Sequence, residues 1–369
     1  MDKMNRFNRV RKPVKRHGAE RYLLITLLSF AASVSLTRLF LQLTGYPKLG
    51  SGSLHIAHVL WGGLLLFVAA LLPLILANRW VYDNSAILAG VGVGLFIDEV
   101  GKFITQNNDY FYPPAAPIIY AFFLVTVLIY LQLRRPPTHE PRTELYHALD
   151  AIEEVLDRDL EVQERDDLDR RLESITTQAE QYPDLASLAT GLLQFLHNQD
   201  LVVIPDQPTM IERWLTWIVA WAHHHIDRAR LRIAIVLGLG LTGIIALAKW
   251  IVFLGQSIGP VSSYQALVEM ASASSVATPT GMDWFIARLI LEGFVGMTLL
   301  AGSILITLKQ VQRGMALGYY GLLLSLTTVD LLLFYFDQFS TILIALLQFT
   351  VLMGMIYYRK SQSKGSRVA

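Results

Sequence analysis

Two acids and a base, Asp98, Glu99 and Lys102, lie in the stretch Leu-Phe-Ile-Asp-Glu-Val-Gly-Lys-Phe, which is otherwise typical of a membrane-spanning helix. A charge inside hydrocarbon costs about 2.5–3.5 kcal/mol on insertion scales, so such residues usually face a bundle interior and have a function. The carboxyls could act as a general base or exchange protons, and the lysine could hold an anionic group. These three residues are the candidate catalytic set.

A histidine pair, His55 and His58, precedes this segment at i,i+3 spacing, which places both side chains on neighbouring turns of one helix face. Together with Asp98 it would form a two-histidine, one-carboxylate site with an open position, as in catalytic zinc centres. Glu99 would then be the general base on a metal-bound water. The alternative is a histidine pair that binds no metal, which is the commoner case at this spacing.

Further charged residues also fall within apolar segments, close to their predicted outer ends. Because they share one depth, we expect a polar, hydrated cavity open to the outside, in which these residues bind the substrate. Its predicted lining residues are Arg38, Lys249, Arg288, Glu292 and Asp330. The alternative is structural ion pairing, since Asp98–Lys102 and Arg288–Glu292 are both spaced i,i+4.

The elements that must position these residues are membrane helices. Of the 369 residues 53% are hydrophobic and 17% charged, and mean hydropathy is +0.42, which is too apolar for an ordinary soluble protein. The absence of cysteine excludes disulfides and thiolate metal sites. Eight segments are long enough to span a bilayer and predict an all-α polytopic bundle: 22–43, 54–77, 85–105, 115–133, 231–254, 284–308, 315–336 and 338–358.

The basic residues predict the orientation of the chain. Lys and Arg concentrate in the first 21 residues, in every second connection and after the last span, so both termini are expected in the cytoplasm. The predicted organisation is a basic tail (1–21), a four-helix half (22–135), a cytoplasmic insert (136–230), a second four-helix half (231–358) and a basic tail (359–369). Lipid is the expected surrounding, and no nucleic-acid partner is expected.

The insert is predicted to be helical. Apolar residues recur at helical spacing over 145–160 and again over 168–179, and a short helix follows from Asp184 to His197. Eleven acids and four arginines lie between Asp150 and Glu173. Such a run usually forms a solvated surface, and the alternative is a docking surface for a basic protein partner at 145–180. A capping box at Thr209–Glu212 predicts the start of a helix, and its Trp214, Trp217 and Trp221 favour an interfacial amphipathic position on the inner leaflet.

A weak internal repeat relates the two halves. When 53–63 is aligned with 283–293, His58 falls on Arg288, and Asp98 in the third span corresponds to Asp330 in the seventh. Four spans in each half would give a parallel repeat, as in some transporters. In the third span, Gly90 and Gly94 share a face with Asp98, so that face is expected to pack closely against another helix.

The segment from His55 to about Tyr120, with its His-x-x-His, Trp-Gly-Gly, Leu-Phe-Ile-Asp-Glu-x-Gly-Lys-Phe and Asn-Asp-Tyr-Phe blocks, resembles uncharacterised bacterial multi-pass membrane proteins. The resemblance implies a bacterial inner-membrane protein and carries no activity. Three functions stay open: a metal-dependent hydrolase or transferase acting on a lipid or amphiphile, an ion-coupled transporter, and a scaffold or sensor that signals through the insert.

Overall fold

The structure, a computed structural model, describes residues 13–45, 57–107, 109–110, 112–134, 140–198, 203–205, 213, 227–257 and 279–365. Almost all of these residues are helical, which confirms the predicted all-α class. The described helices are α1 (Ala19–Thr44), α2 (His58–Ile75), α3 (Trp80–Asp98), α4 (Val100–Ile104), α5 (Ala115–Leu133), α6 (Pro141–Asp157), α7 (Val162–Thr176), α8 (Pro183–Asn198), α9 (Arg228–Ser257), α10 (Pro279–Thr307), α11 (Val311–Leu324), α12 (Asp330–Asp337) and α13 (Ile342–Gly365). Two short strands are β1 (Leu160–Glu161) and β2 (Val203–Ile204).

Eight helical segments within the described residues are long and apolar enough to cross a membrane. The seventh runs through α11, a π-helical turn (Ser325–Val329) and α12, and a 3₁₀ turn (Gln338–Thr341) connects it to α13. Large apolar side chains on these segments are exposed, including Leu36, Leu74 and Leu343. A helix that exposes such side chains is stable only in an apolar surrounding, so the chain is a multi-pass membrane protein.

The chain divides into two compact units. The first contains Met1–Val34, Lys48–Phe96 and Thr126–Arg213, and the second contains Ser35–Pro47, Ile97–Val125 and Trp214–Ala369. The predicted domain boundaries and the internal repeat stay predictions.

Small residues bring the helices of the first unit together. A Cβ on Gly90 would lie 2.3 Å from the carbonyl oxygen of Thr26, and one on Gly94 would lie 2.6 Å from the Cβ of Ser33. The Ser33 hydroxyl donates to the Val91 carbonyl at 3.1 Å. The Gly90–Gly94 face of α3 therefore packs on α1, which confirms the close approach expected from the spacing of the glycines.

The insert folds around its own apolar core, in which Leu145, Leu168, Leu172 and Leu196 are buried. The predicted first helix is too long, because α6 ends at Asp157 and Leu160 lies in β1, which pairs parallel with β2. Arg158, at φ 57°, ends the helix in the left-handed conformation. The predicted interfacial helix at 209–225 lies outside the described residues apart from Arg213.

The second unit has a core between α9, α10, α11 and α13. Its most deeply buried residues include Leu239, Leu299, Leu322 and Met355. This apolar packing holds the helices that carry Arg288, Glu292 and Asp330, and the short 3₁₀ turn fixes the ends of α12 and α13 beside each other. The predicted helical hairpin at 336–338 is thereby confirmed.

Candidate functional site

The third span is interrupted at the acidic pair, whereas the sequence predicts one helix to residue 105. Helix α3 ends at Asp98, Glu99 has φ −94° and ψ 11°, and α4 begins at Val100. The Lys102 N–H donates to the Glu99 carbonyl at 2.9 Å. The Asp98 carbonyl instead accepts a hydrogen bond from Arg38 at 3.0 Å. Arg38 thus binds the carbonyl oxygen that would otherwise accept the backbone hydrogen bond of the next helical turn. This accounts for the break in the helix.

Asp98 is fully buried and is neutralised by an arginine. Arg38 Nε donates to Asp98 Oδ1 at 2.5 Å, and the Tyr110 hydroxyl donates to Asp98 Oδ2 at 2.7 Å. The Arg38 guanidinium lies 4.2 Å from the Tyr110 ring centroid and 3.8 Å from that of Phe339. Burial, followed by the charge of Asp98, raises the pKa of Tyr110 above its ordinary value of 10.0, so this hydroxyl remains a donor.

The buried Glu99 has a different cation beside it. Lys102 Nζ lies 3.2 Å from Glu99 Oε1, three residues along the chain. The sequence-based pairing of Asp98 with Lys102 at i,i+4 is therefore wrong, because the helix break removes the register on which it depended. The candidate catalytic residues Asp98, Glu99 and Lys102 nevertheless lie together, and Arg38 joins them.

A second arginine, Arg288 on α10, is almost fully buried and binds two acids. It donates both terminal guanidinium nitrogens to Asp337, one of them at 3.1 Å, and its Nη2 lies 3.5 Å from Glu292 Oε1. The predicted Arg288–Glu292 pair is confirmed, but the closer partner is Asp337, which the sequence analysis did not select. Such a fork of two parallel N–H···O bonds is strong and geometrically specific.

The tip of the last hairpin connects the two arginines. Asp337 binds Arg288, and Phe339, two residues on, lies over Arg38. Between them Gln338 has φ 50°, a left-handed conformation that costs a non-glycine residue free energy. Both arginine groups therefore depend on the conformation of one short turn.

Asp330 lies beside the π-helical turn and is fully buried. Its backbone N–H donates to the Ser325 carbonyl, which closes the wide turn, and Tyr120 donates to the Leu326 carbonyl at 2.7 Å. Oδ1 accepts long hydrogen bonds, both of 3.4 Å, from the Ser325 hydroxyl and the Gln348 amide. Among the described residues, Oδ2 has no hydrogen-bond partner and no cation forms an ion pair with this carboxyl. π-Turns of this kind occur frequently at functional sites.

The predicted metal site is only partly described. His55 lies outside the described residues, and His58, the first residue of α2, belongs to the first unit whereas Asp98 belongs to the second. Across the described ranges, no group of three or more His, Asp or Glu side chains is arranged to hold a metal. Lys249 lies on α9, but its side chain is not among those described. The metal ligands therefore stay a prediction.

In the first unit, the acidic insert contacts basic residues of its own chain. Arg79, in the connection between α2 and α3, pairs with Glu154 and, at 2.8 Å, with Glu164. Asn78 donates to Asp157 at 2.9 Å. Part of the acidic surface is thus used within the molecule, and a separate protein partner at 145–180 stays a prediction.

No protein-family model, curated protein or solved structure matches the chain. The functional argument therefore depends on the site itself. Sequence reasoning found the acids and arginines in the spans but missed Tyr110, Ser325, Asp337, Phe339 and Gln348, all of which contact them. The Asn-Asp-Tyr-Phe block was a signal for Tyr110, and a hydroxyl-rich run before Asp330 (Ser-Leu-Thr-Thr) was a signal for the π-turn.

Proposed function

We propose that the protein is a proton-coupled membrane carrier for an anionic or amphiphilic solute, with Asp330 as its proton-exchanging group. The observation that carries the proposal is the surrounding of Asp330: a fully buried carboxyl on a π-turn, with two long neutral hydrogen bonds and no ion pair to a cation among the described residues. Intramembrane carboxyls are typical of proton relays in pumps and transporters.

Proton exchange follows from the energetics of that surrounding. An ionised carboxylate buried without a cation is expensive, and taking up a proton removes the cost. Among the described residues, Glu292 is a charged group near enough to act on Asp330, and Arg288 in turn holds Glu292. Any change that draws Arg288 away from Glu292 would therefore alter the charge that Asp330 meets, which gives a physical route for coupling.

The two buried arginines, Arg38 and Arg288, are the groups proposed to bind the substrate. Each guanidinium lies near aromatic rings and is satisfied by an acid of the chain, Asp98 for Arg38 and Asp337 for Arg288. An anionic solute group could replace either acid with little change in charge, since carboxylate and phosphate both suit the guanidinium fork. Arg288 Nε, which is buried and has no hydrogen-bond partner among the described residues, is a further donor.

The test is uptake by proteoliposomes that contain the purified full-length protein. We expect an acid-outside pH gradient to drive uptake of at least one solute from a panel of labelled mono- and dicarboxylates and organic phosphates. Asp330→Asn should abolish the gradient dependence, whereas the exposed Asp283→Asn on α10 should leave it unchanged. Absence of gradient-driven uptake across the panel, or equal uptake by Asp330→Asn, would refute the proposal.

Metal-dependent hydrolysis ranks below transport, because both carboxylate oxygens of Asp98 already accept hydrogen bonds. We keep a divalent metal such as zinc at His55, His58 and Asp98 as a prediction. Elemental analysis of the wild-type protein beside His58→Ala and Asp98→Asn tests it: stoichiometric metal, lost in both variants, would favour the hydrolase. The basic connections lead us to place the protein in the inner membrane with both termini in the cytoplasm.

A further inference from the structure

Two buried oxygen atoms of the second unit have no hydrogen-bond donor among the described residues: Asp330 Oδ2 and Gln348 Oε1. Asp330 is fully buried, and Gln348, on α13, is 5% exposed. The amide nitrogen of Gln348 lies 3.4 Å from Asp330 Oδ1, so both oxygens belong to one cluster of side chains. A buried acceptor without a donor carries its full cost of leaving water. The cluster is therefore a candidate site for a ligand that oxygen atoms bind.

The π-helical turn (Ser325–Val329) brings a hydroxyl to this cluster. In a regular α-helix, two residues five positions apart point about 140° away from each other. The wide turn is closed by the hydrogen bond from the Asp330 N–H to the Ser325 carbonyl, and it places the buried Ser325 Oγ 3.4 Å from Asp330 Oδ1. The turn therefore supplies a further buried oxygen beside the carboxylate.

The separation of Ser325 Oγ and Asp330 Oδ1 suits two ligands of one cation better than a hydrogen bond. Hydrogen bonds between oxygen atoms are normally about 2.5–3.0 Å long. Ca²⁺, which has almost the size of Na⁺, binds oxygen at about 2.3–2.6 Å, and two such ligands at right angles lie about 3.3–3.7 Å apart. A serine hydroxyl rotates, so it can turn a lone pair toward an ion. The spacing therefore indicates an ion of the size of Na⁺.

The charges around the cluster favour a cation with a single positive charge. Arg288 holds both Glu292 and Asp337, so one arginine meets two acids before Asp330 is counted. Asp330 is then the one carboxylate of the cluster, and its neighbours Gln348 and Ser325 are neutral. Calcium sites usually collect several carboxylates, and the described ranges hold no group of three acidic or histidine side chains arranged for a metal. One carboxylate with neutral oxygens suits a monovalent ion.

We infer that this cluster binds Na⁺, with Asp330, Gln348 and Ser325 supplying oxygen ligands. The inference deepens the proposed function and rests on it in one respect, because it assigns a second coupling ion to the carboxyl that is proposed there to exchange a proton. Na⁺ neutralises the buried carboxylate and at the same time gives Gln348 Oε1 a positive partner. The carrier would therefore accept Na⁺ in place of a proton.

The experiment is equilibrium binding of radioactive sodium to the purified full-length protein in neutral detergent at constant alkaline pH. The buffer cation is a bulky organic amine, so that no other small cation competes. We expect saturable binding of one ion per chain. Unlabelled Na⁺ should displace the label, and K⁺ should displace it only weakly, because a larger ion does not fit the ligand spacing.

Gln348→Leu is the decisive variant, because it removes the oxygen ligand and keeps a side chain of similar size. The affinity for Na⁺ should fall about tenfold, as expected for losing one charge-assisted contact, whereas Gln348→Glu keeps an oxygen at this position and should still bind. Ser325→Ala should weaken binding in the same direction. Gln310→Leu, at an exposed glutamine before α11, is the matched control and should bind normally.

No saturable Na⁺ binding by the wild type, equal displacement by K⁺, or unchanged affinity in a folded Gln348→Leu would overturn the inference. If Gln348→Leu does not fold, unchanged affinity in Ser325→Ala overturns it instead. The proteoliposome assay separates this result from the proposed function. Gradient-driven uptake without Na⁺ binding would overturn the sodium site and leave the carrier standing. Na⁺ binding that Gln348→Leu weakens, without uptake of any solute, would support the sodium site and count against the carrier.

Discussion

The buried pair of Arg38 and Asp98 gives the most precise test of the site. Removing the arginine in Arg38→Met leaves a fully buried carboxylate that still accepts a hydrogen bond from the Tyr110 hydroxyl at 2.7 Å. Loss of one partner from a buried ion pair costs about 3–5 kcal/mol, mostly because the other charge stays buried. The variant also loses the bond to the Asp98 carbonyl and both ring contacts, so the upper part of that range is expected.

The double variant Arg38→Met/Asp98→Asn separates this cost from simple loss of contacts. Because it also removes the carboxylate charge that Arg38 neutralises, it should be more stable than Arg38→Met alone, with a coupling energy of about 2 kcal/mol, within the range found for residues in contact. The exposed pair Arg170–Asp167, with side chains 73% and 53% exposed, is the control. Its coupling should stay below about 0.5 kcal/mol, as for most surface ion pairs.

The free energy of unfolding would be measured for each cycle by denaturant titration in mixed micelles, followed by circular dichroism. Additivity of Arg38→Met and Asp98→Asn within about 0.5 kcal/mol would refute the reasoning, because distant and independent sites behave in that way. A cost below about 1 kcal/mol for Arg38→Met would refute it equally, since a surface ion pair contributes that little.

Three further predictions concern the first unit. Gly90→Ala should destabilise the protein by about 1–3 kcal/mol, because the new methyl group would be overpacked against Thr26. Gly63→Ala has open space around its Cβ position and should be nearly neutral. Thermal unfolding in detergent compares the two variants. The pKa of His17 in the folded protein lies below 6.5, so as the pH falls the unfolded chain binds a proton at this histidine before the folded protein does. The free energy of unfolding should therefore fall as the pH drops below about 6.5. In His17→Gln this part of the pH dependence should be missing from the unfolding curves. Arg79→Gln should expose α6 and α7 to limited proteolysis, because it removes the cation shared by Glu154 and Glu164, and equal cleavage of Arg79→Gln and wild type would contradict the assigned contacts.

Hydropathy and glycine spacing are local signals, and they predicted the spans and the close face of α3 correctly. Each span needs only a long apolar run, and Gly90 and Gly94 recur at the spacing of one helix face. The break at Asp98 could not be predicted in this way. It depends on Arg38, which lies two spans earlier in the chain and takes the Asp98 carbonyl.

The same distinction applies to the pairing of the charges. The i,i+4 rule predicted Arg288–Glu292 correctly, because α10 is continuous there, and failed for Asp98–Lys102, because the helix is interrupted between them. Asp337 and Phe339 contact the arginines only because the last hairpin folds back, which is a tertiary effect. The strands β1 and β2 could not be predicted either, because a strand of two residues is too short to show a periodic pattern in the sequence.

The Arg38–Asp98 pair has a consequence for how the protein enters the membrane. The ribosome makes Arg38 long before Asp98, and Phe339 long after both. An isolated arginine is costly in lipid, so we expect the first span to remain beside the insertion machinery until the third arrives with its carboxylate. The two helices would then be released as a pair, and the aromatic ring that covers the guanidinium would be added last. The first span would therefore enter the lipid only after the third span has been made, and the two would not be inserted one at a time.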